Sequence, residues 1–245
     1  EAAGERNILV SIYQKVMRWM CWKFSNRRAG CSEQALDFLF GDKWKADPGA
    51  IVINNGIDVE LFKCGVDREK KEKELEVKNK KHILTVGRLS AQKNPMLIAQ
   101  SFVEICKIRD DCDLIWVGIG EMENVLKQYL MEKGVLKYVH FLGSRDDVPE
   151  LMQISDLFLF PSLFEGLGIV LIEAQAAGLT CLVSDTVPKM VDCGGCCFYS
   201  IKQSASDWAE QANQILNGKI EVNIQEKLLN EYTIENMVRQ METLF

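Results

Sequence analysis

Two glutamates eight positions apart, Glu165 and Glu173, share a glycine-bearing stretch, and two cations five positions apart, Arg88 and Lys93, share another. Carboxylates accept hydrogen bonds from the hydroxyl groups of a sugar or a ribose. A guanidinium is a planar fork for phosphate oxygens and an ammonium a compact charge, so Arg88 and Lys93 could hold a diphosphate without a metal. Glu165 stands in the loop Glu165-Gly166-Leu167-Gly168, and the run that follows, Ile169 to Ala177, is rich in helix formers. A helix start carries about half a positive charge and unpaired N–H groups, which attract anions. Gly166 and Gly168 let a ligand approach the backbone closely. The arrangement suggests a phosphate flanked by two polyols. An ordinary connection with solvated glutamates remains the alternative.

The elements that must position these residues follow a regular rhythm. Short apolar runs at Ile83–Val86, Leu114–Val117, Tyr138–Leu142, Asp156–Phe160, Thr180–Ser184 and Cys197–Tyr199 read as buried strands. Amphipathic segments alternate with them at Pro95–Ile108, Glu121–Lys133, Val148–Ile154, Ile169–Ala177 and Ser204–Asn217. That alternation predicts an α/β fold with a parallel sheet covered on both faces. Ligands of such sheets bind beyond the carboxyl ends of the strands. This places Gly87-Arg88, Gly118-Ile119-Gly120, Gly143-Ser144-Arg145 and Glu165 on one rim.

Upstream, residues 8–28 predict a helix with an apolar stripe of Ile8, Ile12, Val16, Met17, Met20 and Phe24. Lys15, Arg18, Lys23, Arg27 and Arg28 stand on its other positions with Trp19 and Trp22, so it reads either as a helix packed on a core or as one lying on an anionic bilayer. Ser32 is a candidate N-cap for a helix from Glu33 to Phe40 that stops at Gly41, and residues 50–54 read as a short strand. Residues 68–81 carry Glu69/Lys73 and Glu74/Lys78 at helical spacing and predict a solvated linker or exposed helix. Two further helices are expected near Val222–Leu229 and Ile234–Leu244.

Other chemistries fit less well. Val117-Gly-Ile-Gly120 lacks the third glycine of a dinucleotide fingerprint, since Glu123 stands there; its glycines are expected to form a tight turn near the ligand. Cys193-Gly-Gly-Cys196-Cys197 has no partner pair, and His82 and His140 fall in or beside strands, so no metal site is expected. No serine nucleophile elbow is present. The formal charge of −6 disfavours a general nucleic-acid binder. No run approaches the ~18 apolar residues of a membrane span, and no stretch reads as a signal peptide. Nine scattered cysteines suit reduced thiols in a cytoplasmic protein. The 245 residues, of which 47% are apolar, suit one large or two small domains, and a first residue other than Met suggests a chain beginning mid-protein.

Gly87-Arg-Leu-Ser-x-x-Lys-Asn94, Val117-Gly-x-Gly120, Phe141-Leu-Gly143 and, above all, Phe160-Pro-Ser-x-x-Glu165-Gly through Glu173-Ala resemble the motifs of the family 4 (group 1) glycosyltransferases, nearest their capsular and exopolysaccharide branch. Asn54-Asn-Gly-Ile-Asp58 looks like that family's crossover between two Rossmann-like domains. The resemblance implies a GT-B-type Rossmann-like C-terminal domain and the remnant of an N-terminal one. Residues 1–54 would be the last part of the acceptor domain, 55–81 the crossover and charged linker, 82–220 the nucleotide-sugar-binding domain, and 221–245 C-terminal helices returning toward the first domain.

The function implied is retaining, metal-independent transfer of a hexose-type sugar from a UDP- or GDP-sugar to a saccharide or lipid-linked acceptor, with no cofactor. By the same resemblance Arg88 and Lys93 hold the diphosphate and stabilise the departing nucleotide, aided by backbone N–H groups of Gly168, Ile169 and Val170. Glu165 contacts the donor sugar, Glu173 the ribose, and Gly143, Ser144 and Arg145 the base; Gly87, Gly166 and Leu167 complete the donor site, and Arg88, Lys93 and Glu165 carry catalysis. The expected location is cytoplasmic, with peripheral membrane contact through residues 8–28. A non-catalytic nucleotide-sugar-binding subunit and an epimerase or phosphorylase of the same architecture remain alternatives. The chain departs from the family at Thr180, where proline is usual, and at Thr186-Val-Pro-Lys-Met190, where Gly-Gly-x-x-Glu is common.

Overall fold

The computed structural model describes residues 2–243, with side chains from residue 10 onward, so the side chain of Ile8 and the whole of Leu244 in the expected helices lie outside what is described. The chain forms two compact units, one built from the stretch up to Gly56 with the C-terminal helix from Ile234, the other spanning Ile57–Thr233.

In the first unit, α1 (Ala2–Phe24) is followed by β1 (Arg28–Gly30), α2 (Glu33–Phe40) and β2 (Ala50–Val52). The expected helix over 8–28 therefore ends four residues early, and Arg28 is a strand residue paired with Ala50 in a parallel ladder. The reason lies in its side chain. One guanidinium nitrogen of Arg28 donates to the carbonyls of Trp22 (2.6 Å) and Ser25 (3.1 Å), the other to Asp47 (2.5 Å). Those donors satisfy carbonyls that the helix end leaves open, with a cation at its negative pole. Ser32 caps α2 by accepting from Ala35 N–H at 3.0 Å, and Gly41 ends it at φ 62°. The closing helix runs Ile234–Glu242.

The second unit opens with α3 (Arg68–Leu75). It continues through β3 (Lys81–Val86), α4 (Pro95–Ile108), β4 (Cys112–Val117), α5 (Glu123–Glu132), β5 (Val139–Gly143), α6 (Val148–Ile154), β6 (Leu157–Phe160), α7 (Ile169–Ala176), β7 (Cys181–Ser184), β8 (Cys196–Tyr199), α8 (Ala205–Leu216) and α9 (Glu226–Leu229). Its six strands pair in parallel in the order β5-β4-β3-β6-β7-β8. Helices cover both faces, so strands are apolar on both: all six residues of β4 are buried. Ile83, Leu114, Trp116, Leu157, Leu159 and Leu182 pack with Phe102, Leu126, Leu130, Trp208 and Ile215 of α4, α5 and α8. Trp208 is fully buried, and its indole N–H donates to Ser200 carbonyl at 3.1 Å.

Several segments differ from the sequence reading, among them β4, which starts at Cys112 rather than Leu114, and α5, which starts at Glu123 rather than Glu121. Strand β3 starts two residues before Ile83, because the N–H of Lys81 donates to Asp111 carbonyl and that of His82 to the Asp156 carboxylate. Helix α9 begins at Glu226 rather than Val222, because the N–H groups of Asn223 and Gln225 are spent on the carbonyls of Gly194 and Cys193. Helix α3 is the exposed helix of the two readings rather than a linker, but one side of it is buried. Lys71, with its side chain 8% exposed, pairs with Asp147 (2.5 Å), Glu150 (2.7 Å) and Glu74 (3.3 Å), while Leu75 and Val77 are buried. Burial opposes the ammonium, but those carboxylates outweigh it and hold its pKa well above the ordinary lysine value. Arg68–Glu72 and Lys71–Glu74 are the pairs at helical spacing found along α3, rather than the expected Glu69/Lys73 and Glu74/Lys78. His82 and His140 are residues of β3 and β5.

Candidate functional site

Strand order decides where a ligand can sit. The chain lays down β3, β4 and β5 outward in one direction, then returns to place β6 beside β3 and moves outward the other way. The connections leaving the carboxyl ends of β3 and β6 therefore diverge, and the crevice between them is the switch point at which such sheets bind ligands. Arg88 and Lys93 lie on the first of these connections and Glu165 on the second.

The two loops are tied together. Lys93 Nζ stands 2.6 Å from Glu165 Oε1, and Ser162 Oγ donates to the same oxygen at 2.5 Å. Gln92 carbonyl accepts from Leu163 N–H (2.8 Å), and Gln92 Nε2 donates to Phe164 carbonyl (2.9 Å). The Lys93 ammonium also stands 4.8 Å from the Phe160 ring centroid, a cation–π contact. Its charge is thus partly met within the free protein. Arg88 is different: it is exposed, and no ion pair or side-chain hydrogen bond involves it among the described residues.

The Arg88 loop is held from below by backbone. Gly87 N–H donates to Val117 carbonyl, Leu89 N–H to Ile119 carbonyl, and Met122 N–H to Leu89 carbonyl, all at 3.0–3.1 Å. The two loops approach so closely that a Cβ on Gly118 would stand 1.9 Å from Gly87 carbonyl oxygen, and one on Gly120 2.4 Å from that of Leu89. The Gly118-x-Gly120 pair therefore serves contact between loops rather than a turn facing a ligand.

Gly168 caps α7 in the left-handed region, φ 88°, where glycine is favoured. The first N–H groups of the helix, those of Ile169 and Val170, have no intrahelical acceptor. Glu173 lies one turn further along α7. It is partly buried, no described residue pairs with it, and burial raises its carboxyl pKa above the usual value. A carboxylate desolvated with no donor is costly unless a ligand supplies one.

Beyond β5, Gly143 (φ 65°) and exposed Ser144 reach the same rim. Arg145 is turned elsewhere: it pairs with Asp147 at 2.5 Å and Glu74 at 3.1 Å, which hold its guanidinium charged. The structure thus joins Lys93 to Glu165, sets Gly87, the neighbour of Arg88, against the Lys93 stem and Gly168 at the start of α7 against Glu165, while Arg145 adds no free cation there. Residues that sequence reasoning passed over are Gln92 and Ser162, and Ser184 and Thr186, whose hydroxyls both donate to Ser162 carbonyl at 2.5 and 2.7 Å. A polar residue two positions after the apolar strand β6, behind Pro161, was the available signal for Ser162. Among the described residues, no cluster of three or more His, Cys, Asp or Glu is arranged to hold a metal ion.

Comparison with known proteins identifies relatives. The profile of the family described as glycosyl transferases group 1 matches residues 66–234. An Escherichia coli protein, UDP-Gal:alpha-D-GlcNAc-diphosphoundecaprenol alpha-1,3-galactosyltransferase, is 39% identical over 145 residues, covering 57% of this chain and 38% of its own length. A Campylobacter jejuni protein, N,N'-diacetylbacillosaminyl-diphospho-undecaprenol alpha-1,3-N-acetylgalactosaminyltransferase, is 27% identical over 231 residues, 91% of this chain and 56% of its own. The crystal structure of Anabaena Alr3699/HepE in complex with UDP-glucose superposes with a TM-score of 0.81 at 22% identity, over 94% of this chain and 66% of that one, a likeness of fold. The chain spans about four-tenths to just over half the length of the two named relatives.

Proposed function

The chain belongs to the group 1 glycosyl transferases, and from that premise we propose that its Ile57–Thr233 unit binds a nucleoside-diphosphate sugar and presents it for transfer with retention of configuration. The observation that carries this is the joining of Lys93 to Glu165 across the switch point, 2.6 Å apart, beside unpaired Arg88 and the start of α7.

In this reading the diphosphate lies against Arg88, Lys93 and the N–H groups of Gly168, Ile169 and Val170. Glu165 takes hydroxyls of the donor sugar, and Glu173 those of the ribose. Gly143 and Ser144, with the backbone of Arg145, border the base, while Gly87, Gly166 and Leu167 leave room for the phosphates. As the bond between sugar and phosphate breaks, the electron pair departs with the diphosphate and positive charge builds on the sugar. Preorganised donors aimed at the leaving group stabilise that state by about 3 kcal/mol each. Two side-chain cations and a helix start meet that charge, so transfer needs no divalent metal, and activity unchanged in excess EDTA is the expected result.

The acceptor is proposed to be a saccharide or lipid-linked saccharide, in polysaccharide or glycolipid synthesis; the Escherichia coli relative's name places a diphosphoundecaprenol on its substrate. Peripheral contact with an anionic bilayer on the cytoplasmic side belongs to the same proposal. On α1, Ile12, Val16, Trp19, Met20 and Phe24 are exposed, and Lys15, Arg18 and Lys23 lie among them. No described helix is long and apolar enough to cross a membrane. Cosedimentation with vesicles containing anionic lipid, lost when Lys15, Arg18 and Lys23 become glutamate, is expected; no cosedimentation of the unaltered chain refutes this part.

Calorimetry with UDP, GDP and their sugars tests the donor site. Binding that weakens about 10-fold or more in Arg88→Ala, with the thermal midpoint unchanged, supports the assignment. Equal loss of stability and binding counts against it.

A further inference from the structure

Glu165 has two oxygens in different situations. Oε1 accepts from Lys93 Nζ at 2.6 Å and from Ser162 Oγ at 2.5 Å, whereas no described residue donates to Oε2. The side chain is 9% exposed, so the carboxylate is held in one place with one oxygen satisfied and one open. The two donors to Oε1 are not equivalent. Lys93 sits at the end of a flexible four-carbon stem, and its ammonium has no other carboxylate. A diphosphate in the crevice competes with Glu165 for that ammonium.

Ser162 cannot follow. It is fully buried, two residues beyond the end of β6. Its carbonyl is clamped by Ser184 Oγ at 2.5 Å and Thr186 Oγ1 at 2.7 Å, both at the end of β7, and the next N–H, that of Leu163, donates to Gln92 carbonyl at 2.8 Å. A serine hydroxyl carries one proton. Of the acceptors within its reach, Gln92 carbonyl at 3.1 Å, Phe164 carbonyl at 3.3 Å and Glu165 Oε1 at 2.5 Å, the last is both nearest and charged, and takes it.

We propose that Ser162 is a positioning residue: its buried hydroxyl keeps Glu165 Oε1 fixed when the donor's diphosphate draws Lys93 away, leaving Oε2 aimed at a hydroxyl of the transferred sugar. The proposal rests on the donor-site reading above. It also gives Thr186 a task. Where the family commonly has glycine, this chain has a hydroxyl that pins the peptide carrying Ser162. Lys93 thereby exchanges one anion for another, and the sugar-binding carboxylate does not collapse when it does.

The test separates nucleotide from sugar. UDP and UDP-glucose, or UDP-galactose, are titrated into the unaltered chain, Ser162→Ala and Thr186→Val. Thr186 is exposed, so its variant keeps the core intact. In both variants UDP affinity stays within about twofold, while the additional affinity that the sugar confers falls, about tenfold in Ser162→Ala and less in Thr186→Val. Equal losses for UDP and UDP-sugar, or none in either variant, overturn the positioning role. Failure of the unaltered chain to bind any nucleotide defeats the donor reading instead, and the contact itself is then read in the ligand-free chain. There, urea unfolding of Ser162→Ala, Glu165→Gln and the double variant shows non-additive losses of stability if the hydroxyl holds the carboxylate, and additive losses overturn it.

Discussion

Replacing Gly118 with alanine is expected to disable nucleotide binding without changing the identity of any residue of the proposed site. Gly118 has φ 132°, and an added Cβ would stand 1.9 Å from Gly87 carbonyl oxygen and 2.8 Å from its carbon. Ordinary contact begins at 3.4 Å, so the Gly87 peptide must retreat by the difference, about 1.5 Å. Arg88 is the next residue and moves with it. The hydrogen bonds from Gly87 N–H to Val117 and from Leu89 N–H to Ile119, each 3.0 Å, register the loop and are strained together. A displacement of that size removes a charge-assisted bond to phosphate, about 1.5–3 kcal/mol, or roughly 10- to 100-fold in affinity. The backbone strain of alanine at this φ costs a further ~1–3 kcal/mol of stability, which a domain of ordinary stability survives. Isothermal titration with UDP measures the first effect and urea unfolding the second. Gly118→Ala should approach Arg88→Ala in affinity, and the double variant should add little to either. A folded Gly118→Ala protein binding UDP within threefold of the unaltered chain refutes the claim that this glycine sets the Arg88 loop.

Glu173→Gln should separate stability from binding. Burial raises the pKa of this carboxyl from its usual 4.5, so the folded state holds its proton more tightly than the unfolded one. Stability then declines as pH rises from about 4.5 through the raised folded value. The glutamine variant should melt higher than the unaltered chain at pH 7, converge with it below pH 4, and bind UDP about 10-fold more weakly; a lower melting temperature at pH 7 contradicts the desolvation argument. Lys71→Met leaves Asp147 with Arg145 alone and takes the cation from Glu150, and should cost about 2 kcal/mol in urea unfolding, against under 1 kcal/mol for Lys107→Met at an exposed pair. Asp147, held well below the usual carboxylate range by Arg145 first and then by Lys71, contributes stability that is full above its unfolded pKa. That contribution is lost as pH falls through its depressed folded value. Asp147→Asn should therefore shrink the gap between stability at pH 5 and at pH 2.

Much of the fold was legible because local signals agreed with one another. Pro95 at a helix start and the apolar period to Ile108 set α4, and Ser32 and Gly41 set α2, with the bounds the structure has. The six strands stood out because a sheet buried on both faces writes each strand as a continuous apolar run. Strand order was not legible: nothing in β6 itself announces that it returns to lie beside β3, and the switch point follows only from that pairing. Long-range polar contacts were hidden for the same reason. Lys71 read as one charge in a charged run because Asp147 and Glu150 are some eighty positions away. Arg28 read as helical because its capping of Trp22 and Ser25 depends on a side chain turning back on its own helix. The chemistry-bearing residues were visible from type and spacing, whereas Gln92 carries no such mark, and the polar Ser162 behind β6 shows its place in the sequence but not its contact with Glu165.

The central claim is that the crevice between the β3 and β6 connections grips a diphosphate through Arg88, Lys93 and the start of α7. Calorimetric titration of UDP and GDP into the unaltered chain and Arg88→Ala, Lys93→Met and Glu165→Gln tests it most directly. Arg88→Ala and Lys93→Met should each weaken binding at least 10-fold, while Glu165→Gln, which frees Lys93 from its carboxylate, should bind the bare nucleotide at least as tightly as the unaltered chain. Nucleotide affinity indifferent to Arg88 and Lys93, or no binding at all, contradicts the account.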